Sequence, residues 1–99
     1  MTRFALLALF LSLAAPVLAD DARDRGCAAT TAIVAEAVAT RAKGTTQAQA
    51  LKALLAGDVD AKYIAAVGPL VDWVYTLPQD QLTNEAVAAY NDACLAQIR

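Results

Sequence analysis

The sequence contains no histidine, and its only serine is Ser12, within an apolar stretch near the N-terminus. Without histidine the chain lacks the commonest general base and the commonest side-chain metal ligand. The two cysteines, Cys27 and Cys94, do not form a Cys-x-x-Cys pair, which excludes that mode of redox exchange. A thiol nucleophile would need a reduced cysteine beside a base, and both cysteines are better placed to bridge. No catalytic residue is therefore expected, and the chain reads as a non-enzyme. Runs of alternating β-branched and polar residues are also missing, so the fold class is all-α.

Two further exclusions follow from charge and spacing. Ten acidic residues against eight basic ones give a net charge of −2, and the basic residues show no cluster beyond Arg41 and Lys43. Such a chain is a poor match for nucleic acid or an anionic membrane surface. Asp58-Val59-Asp60 has the form of the start of a calcium loop. The EF-hand pattern wants glycine at its sixth position and glutamate at its twelfth, which are Tyr63 and Pro69 here. Helix capping accounts for both aspartates, so no metal and no cofactor are expected.

What is present begins with an address. Arg3 gives a positive start, residues 4–13 form an apolar run, and Pro16 precedes Val17-Leu18-Ala19 and then Asp20-Asp21. This is the three-part pattern of a Sec signal peptide, residues 1–19, with Ala22 the second choice for its last residue. The rival reading is a membrane anchor, but an apolar run of about 15 residues falls short of the roughly 20 that a spanning helix needs. A lipid anchor is unsupported, because Asp24-Arg25-Gly26 precedes Cys27. The expected location is the periplasm of a Gram-negative bacterium or the medium, with no stable membrane insertion after cleavage. Removing Arg3 leaves seven basic residues and a net charge of −3.

Residues 20–26 are polar and read as a flexible leader, with Asp24 able to cap the first helix. The helical domain is residues 27–99. Its first helix carries Cys27, Thr31, Val34, Val38 and Arg41 on one face and ends at Gly44, a natural left-handed cap. Thr46, with Gln49 three residues later, has the form of a capping box. The second helix turns Ala48, Leu51, Leu54 and Leu55 inward, and Gly57 ends it. Asp58 or Asp60 caps a third helix with Tyr63, Ile64, Val67, Leu70, Val71 and Val74 on its stripe. Gly68-Pro69 should kink that helix or split it in two. Thr83 caps the fourth, in which Val87, Tyr90, Cys94 and Ile98 face inward and Leu82 and Val87 are spaced for a hydrophobic staple.

Short loops between these helices favour an antiparallel four-helix bundle. That topology places the start of the first helix and the end of the fourth together, where Cys27 and Cys94 lie. A Cys27–Cys94 disulfide is expected in an oxidising compartment, the alternatives being free thiols or an intermolecular bridge. Alanine supplies 20 of the residues after position 19, which allows helices to approach closely over a thin core.

Two residues carry double readings. Trp73, with Asp72 beside it and Pro69 on its own face, is a candidate partner-binding anchor, or it packs on a flanking helix and shields alanine-rich backbone. Arg41 either faces a partner or caps carbonyls and pairs with an acid such as Asp72 or Glu85. Tyr75 and Tyr90 read as core residues with their polar tips at the surface.

Cys27, Arg41-Ala-Lys-Gly44-Thr45, Val74-Tyr75, Leu82-Thr83 and Cys94 together resemble small exported proteobacterial proteins with two terminal cysteines around a helical domain. The resemblance implies a periplasmic or secreted setting and supplies no activity. In size, helices and single disulfide the chain is also similar to the HdeA-type acid-stress chaperones, although cysteine separation and flanking residues depart from theirs. The expected function is binding of an unknown protein partner as an accessory factor. The alternatives are a small-molecule or lipid carrier, which needs an enclosed cavity, and an acid-stress chaperone.

Overall fold

The computed structural model describes the backbone of residues 2–97 and the side chains of residues 21–97. Four α-helices follow in order: α1 (Thr2–Ala42), α2 (Gln47–Ala56), α3 (Ile64–Val74) and α4 (Asn84–Gln97). Short 3₁₀ turns at Ala61–Tyr63 and Gln79–Gln81 lead into α3 and α4. No strand is present among the described residues. Among them, too, no helix is long and apolar enough to cross a membrane.

Residues expected as a frayed leader continue α1, with Arg25 placed one turn after Asp21 at 3.9 Å. Asp24 therefore lies inside a helix and does not cap one. Gly26 is tolerated within α1 because a single glycine there costs only about 1 kcal/mol. The C-terminal end is sharply made. Gly44 adopts φ 88°, its N–H donates to the Arg41 carbonyl, and the Thr45 N–H donates to the Thr40 carbonyl. Both bonds belong to a Schellman motif, which satisfies carbonyls that the helix leaves open. Two residues on, the Thr46 hydroxyl accepts the Gln49 N–H at 3.3 Å and starts α2.

Direction follows from pairs of contacts. Cys27 is bonded to Cys94, and Thr31 donates a hydrogen bond to Asn91 at 3.1 Å, so α1 and α4 run antiparallel. At the other end Arg41 of α1 reaches the last carbonyls of α3, so those two run the same way. With α2 returning between them, the bundle alternates in direction and the disulfide closes one end of it. The core is Ile33, Val34, Ala37, Val38, Ala50, Leu54, Val67, Val71 and Val74, together with the fully buried Cys27. Helix α4 contributes half-buried Val87 and Tyr90 against this core and no fully buried residue of its own. Ile98 lies outside the described residues.

Three inward assignments are corrected. On α2 the buried line is Ala50 and Leu54, with Leu51 half-buried, while Ala48 is exposed and Leu55 keeps 46 % of its surface in water. The small side chain of Ala50 fits the closest line against the neighbouring helices, which rotates α2 away from the leucine-centred face. Ile64 is 37 % exposed: it opens α3 directly after the 3₁₀ turn, at the end of the stripe that Val67 and Val71 continue into the core. The third helix is not split: α3 runs unbroken through Pro69. Proline at its sixth position removes the single bond to Ala65 and leaves the rest of the ladder in place.

Candidate functional site

Arg41 answers to one of its two readings. Its Nη1 donates to the carbonyls of Val74 at 2.6 Å and Leu77 at 2.5 Å, and its guanidinium lies 5.4 Å from the Tyr75 ring centre. A cation at the C-terminal end of α3 suits the negative end of that helix's dipole. Neither Asp72 nor Glu85 pairs with it among the described residues. Asp72 instead accepts a hydrogen bond from the side-chain amide of Gln47 on α2. The Tyr75 hydroxyl donates to the Thr45 carbonyl at 2.6 Å, so the α1–α2 loop, α1 and α3 are tied at one point. Thr83 stands immediately before α4, and its carbonyl accepts the Val87 N–H at 3.4 Å, as a capping residue's does.

The three residues considered for partner binding do not form one patch. Trp73 faces α4, where its ring centre lies 5.8 Å from that of Tyr90 at an interplanar angle of 40°. It keeps 39 % of its surface in water. Pro69 is exposed one turn before it, but Asp72 is drawn toward α2 by Gln47. Trp73 thus packs on a flanking helix and presents only part of an indole.

A concave surface lies elsewhere. Between α1 and α2 runs a groove of about 510 Å³, within the usual range of ligand pockets. Ile33 and Leu54 form its apolar floor. One wall is Ala29, Ala32, Glu36 and Thr40 of α1; the other is Ala50 and Ala53 of α2 with Gly57 just after it. The α2–α3 loop, with Asp58, Val59 and Asp60, closes one end together with Tyr63. The physical origin is side-chain length. Beside the line through Ala50 and Leu54, the alanines of both helices and Gly57 after α2 are too short to meet across the gap. Alanine richness allows helices to approach closely; here it leaves space.

The groove's charged groups, among the described residues, are acidic. Asp60 accepts the Lys62 N–H at 3.1 Å and caps the 3₁₀ turn, not α3 as expected; α3 starts after Tyr63 with no side-chain cap. Glu36 and Asp58 are exposed on its edges. Among the described residues no three side chains of metal-binding type gather together. An adjoining hollow of about 460 Å³ shares Ala29, Asp60 and Tyr63 and brings in Arg25 and Lys62. Arg25 there faces Asp21, and Lys62 lies 5.6 Å over the Tyr63 ring. In the sequence the groove's signal was the spacing Ala29-Ala32-Glu36-Thr40 beside Ala50-Ala53-Gly57. Those spacings show a short-chained face on each helix but not that the two faces oppose. Comparison with known proteins finds no matching family model, no matching curated protein and no matching solved structure.

Proposed function

We propose that this is an exported, non-enzymatic helical protein of the periplasm or medium that binds a protein partner through the α1–α2 groove. The groove is the observation that carries this reading: an apolar floor, short walls and an acidic edge on a scaffold held by a disulfide. Export is supported by the signal-like start of the sequence and by the Cys27–Cys94 bond, which persists in oxidising compartments. A carrier for a free apolar molecule would need enclosure. The groove is bordered instead by exposed Ala32, Glu36 and Ala53, an arrangement suited to side chains of another protein. Trp73 serves to hold α4 in place.

The test uses the oxidised protein and two variants as baits against extracts of the exported fraction. Ala53→Phe fills the groove, and Trp73→Ala removes the indole. The expected result is one protein retained by the native and Trp73→Ala baits and lost by Ala53→Phe. Loss by Trp73→Ala alone moves the site to the α3–α4 side, and retention of nothing by any bait overturns the binding reading. Recovery of the native chain with Asp20 at its N-terminus checks the export half.

A further inference from the structure

The chemistry of the α1–α2 groove narrows what it takes. Its floor of Ile33 and Leu54 calls for apolar side chains. Its edges carry Glu36, Asp58 and Asp60, and no lysine or arginine among the described residues lines it. The side chains of Glu36 and Asp58 sit in no ion pair or hydrogen bond among the described residues. Of the cations in the adjoining hollow, Arg25 lies 3.9 Å from Asp21 and Lys62 lies over the Tyr63 ring. An apolar floor between unpaired carboxylates is complementary to an apolar ligand bearing positive charge. A second copy of this acidic chain would bring more negative charge to the same edge, and a neutral apolar molecule would leave the carboxylates unmatched.

Shape selects among cationic apolar ligands. Ala29 and Thr40 stand at the two ends of the α1 wall, and the eleven steps of helix between them span about 16 Å, or three turns. Resting on the reading of the groove as the binding surface, we propose that its occupant is a basic amphipathic helix of a protein partner. Apolar side chains at i, i+3 or i+4 and i+7 lie on the floor, and lysines or arginines beside them meet Glu36 and Asp58. The alanine walls leave room for such side chains, and the carboxylates set the required sign of charge.

The probe is a helical peptide of leucine and lysine, about 14 residues long, roughly four turns. Its counterpart carries glutamate at every lysine position. Both are titrated calorimetrically into the oxidised protein, into Ala53→Phe and Ala32→Phe, and into the double variant Glu36→Gln/Asp58→Asn. Ala32 and Ala53 are exposed, and helical circular dichroism confirms that each variant is folded. The proposal expects the lysine peptide to bind at least about tenfold more tightly than the glutamate peptide. Either phenylalanine should weaken the lysine peptide by about tenfold or more, and the double variant should abolish the preference between peptides. Equal binding of both peptides, still blocked by phenylalanine, overturns the charge assignment and leaves the groove as a binding surface. Binding unaffected by either phenylalanine, or no binding of the lysine peptide, overturns the proposal. The bait experiment then decides separately whether the groove binds any partner.

Discussion

Two sides of this bundle are built from opposite materials. Where α4 joins, the chain places Trp73 against Tyr90, the Thr31–Asn91 hydrogen bond and its only disulfide. Where α2 joins α1, it places alanines and a glycine and leaves about 510 Å³ open. Yet α2 buries Ala50 and Leu54 completely or nearly so, whereas α4 buries nothing to that degree. The helix with less apolar burial is the one braced by a covalent bond and by large rings. The better-buried helix can leave its outer edge unfilled, and that edge is the surface available for binding.

The largest test of this contrast is removal of the disulfide. Closing a loop of this length stabilises by roughly 4 kcal/mol in the chain-entropy model, an upper figure because native strain subtracts from it. The Cys27→Ala/Cys94→Ala protein should lose up to that amount in urea unfolding. Its hydrogen-exchange protection should fall in α4 first, with α1–α3 amides slower to open. Simultaneous loss across all four helices would break the contrast.

Next comes a pair of neighbours on α2. Leu54→Ala empties the groove floor and should cost about 3 kcal/mol, while Leu55→Ala should cost less than about 1 kcal/mol. Equal costs would return α2 to the orientation expected from its leucines. Trp73→Ala should destabilise by about 2 kcal/mol through lost packing on Tyr90 and should leave groove binding unchanged. The smallest effect on stability belongs to Ala53→Phe, within roughly 0.5 kcal/mol of the native protein because the position is exposed. Chemical denaturation of both variants, run beside the peptide titrations, separates stability from binding on the two sides.

Much of the scaffold was legible because its signals are local. Gly44 needs a positive φ, Thr46 caps the helix that follows it, and Cys27, Val34 and Val38 recur at helical spacing. The pairing of Cys27 with Cys94 followed from helix count and alternation together. Legibility failed where the answer depends on how two elements face each other. Ten residues of α2 with four alanines give nearly the same periodicity for a face centred on Leu54 or on Leu55. The carbonyls that Arg41 caps belong to α3, and backbone acceptors leave no mark in a sequence. Asp72 and Trp73 are neighbours in the chain, but a step of about 100° around the helix sends one toward α2 and the other toward α4. The groove needed two short-chained faces to be opposed, which no single stretch records.

The most direct measurement is backbone chemical-shift mapping of the oxidised, isotope-labelled protein during titration with the lysine–leucine peptide. Shifts concentrated at residues 29–40 of α1 and 50–60 of α2 and its following loop are the predicted result. Shifts centred on Pro69, Trp73 and Tyr90, with the α1–α2 residues unmoved, would contradict the account and place binding on the α4 side.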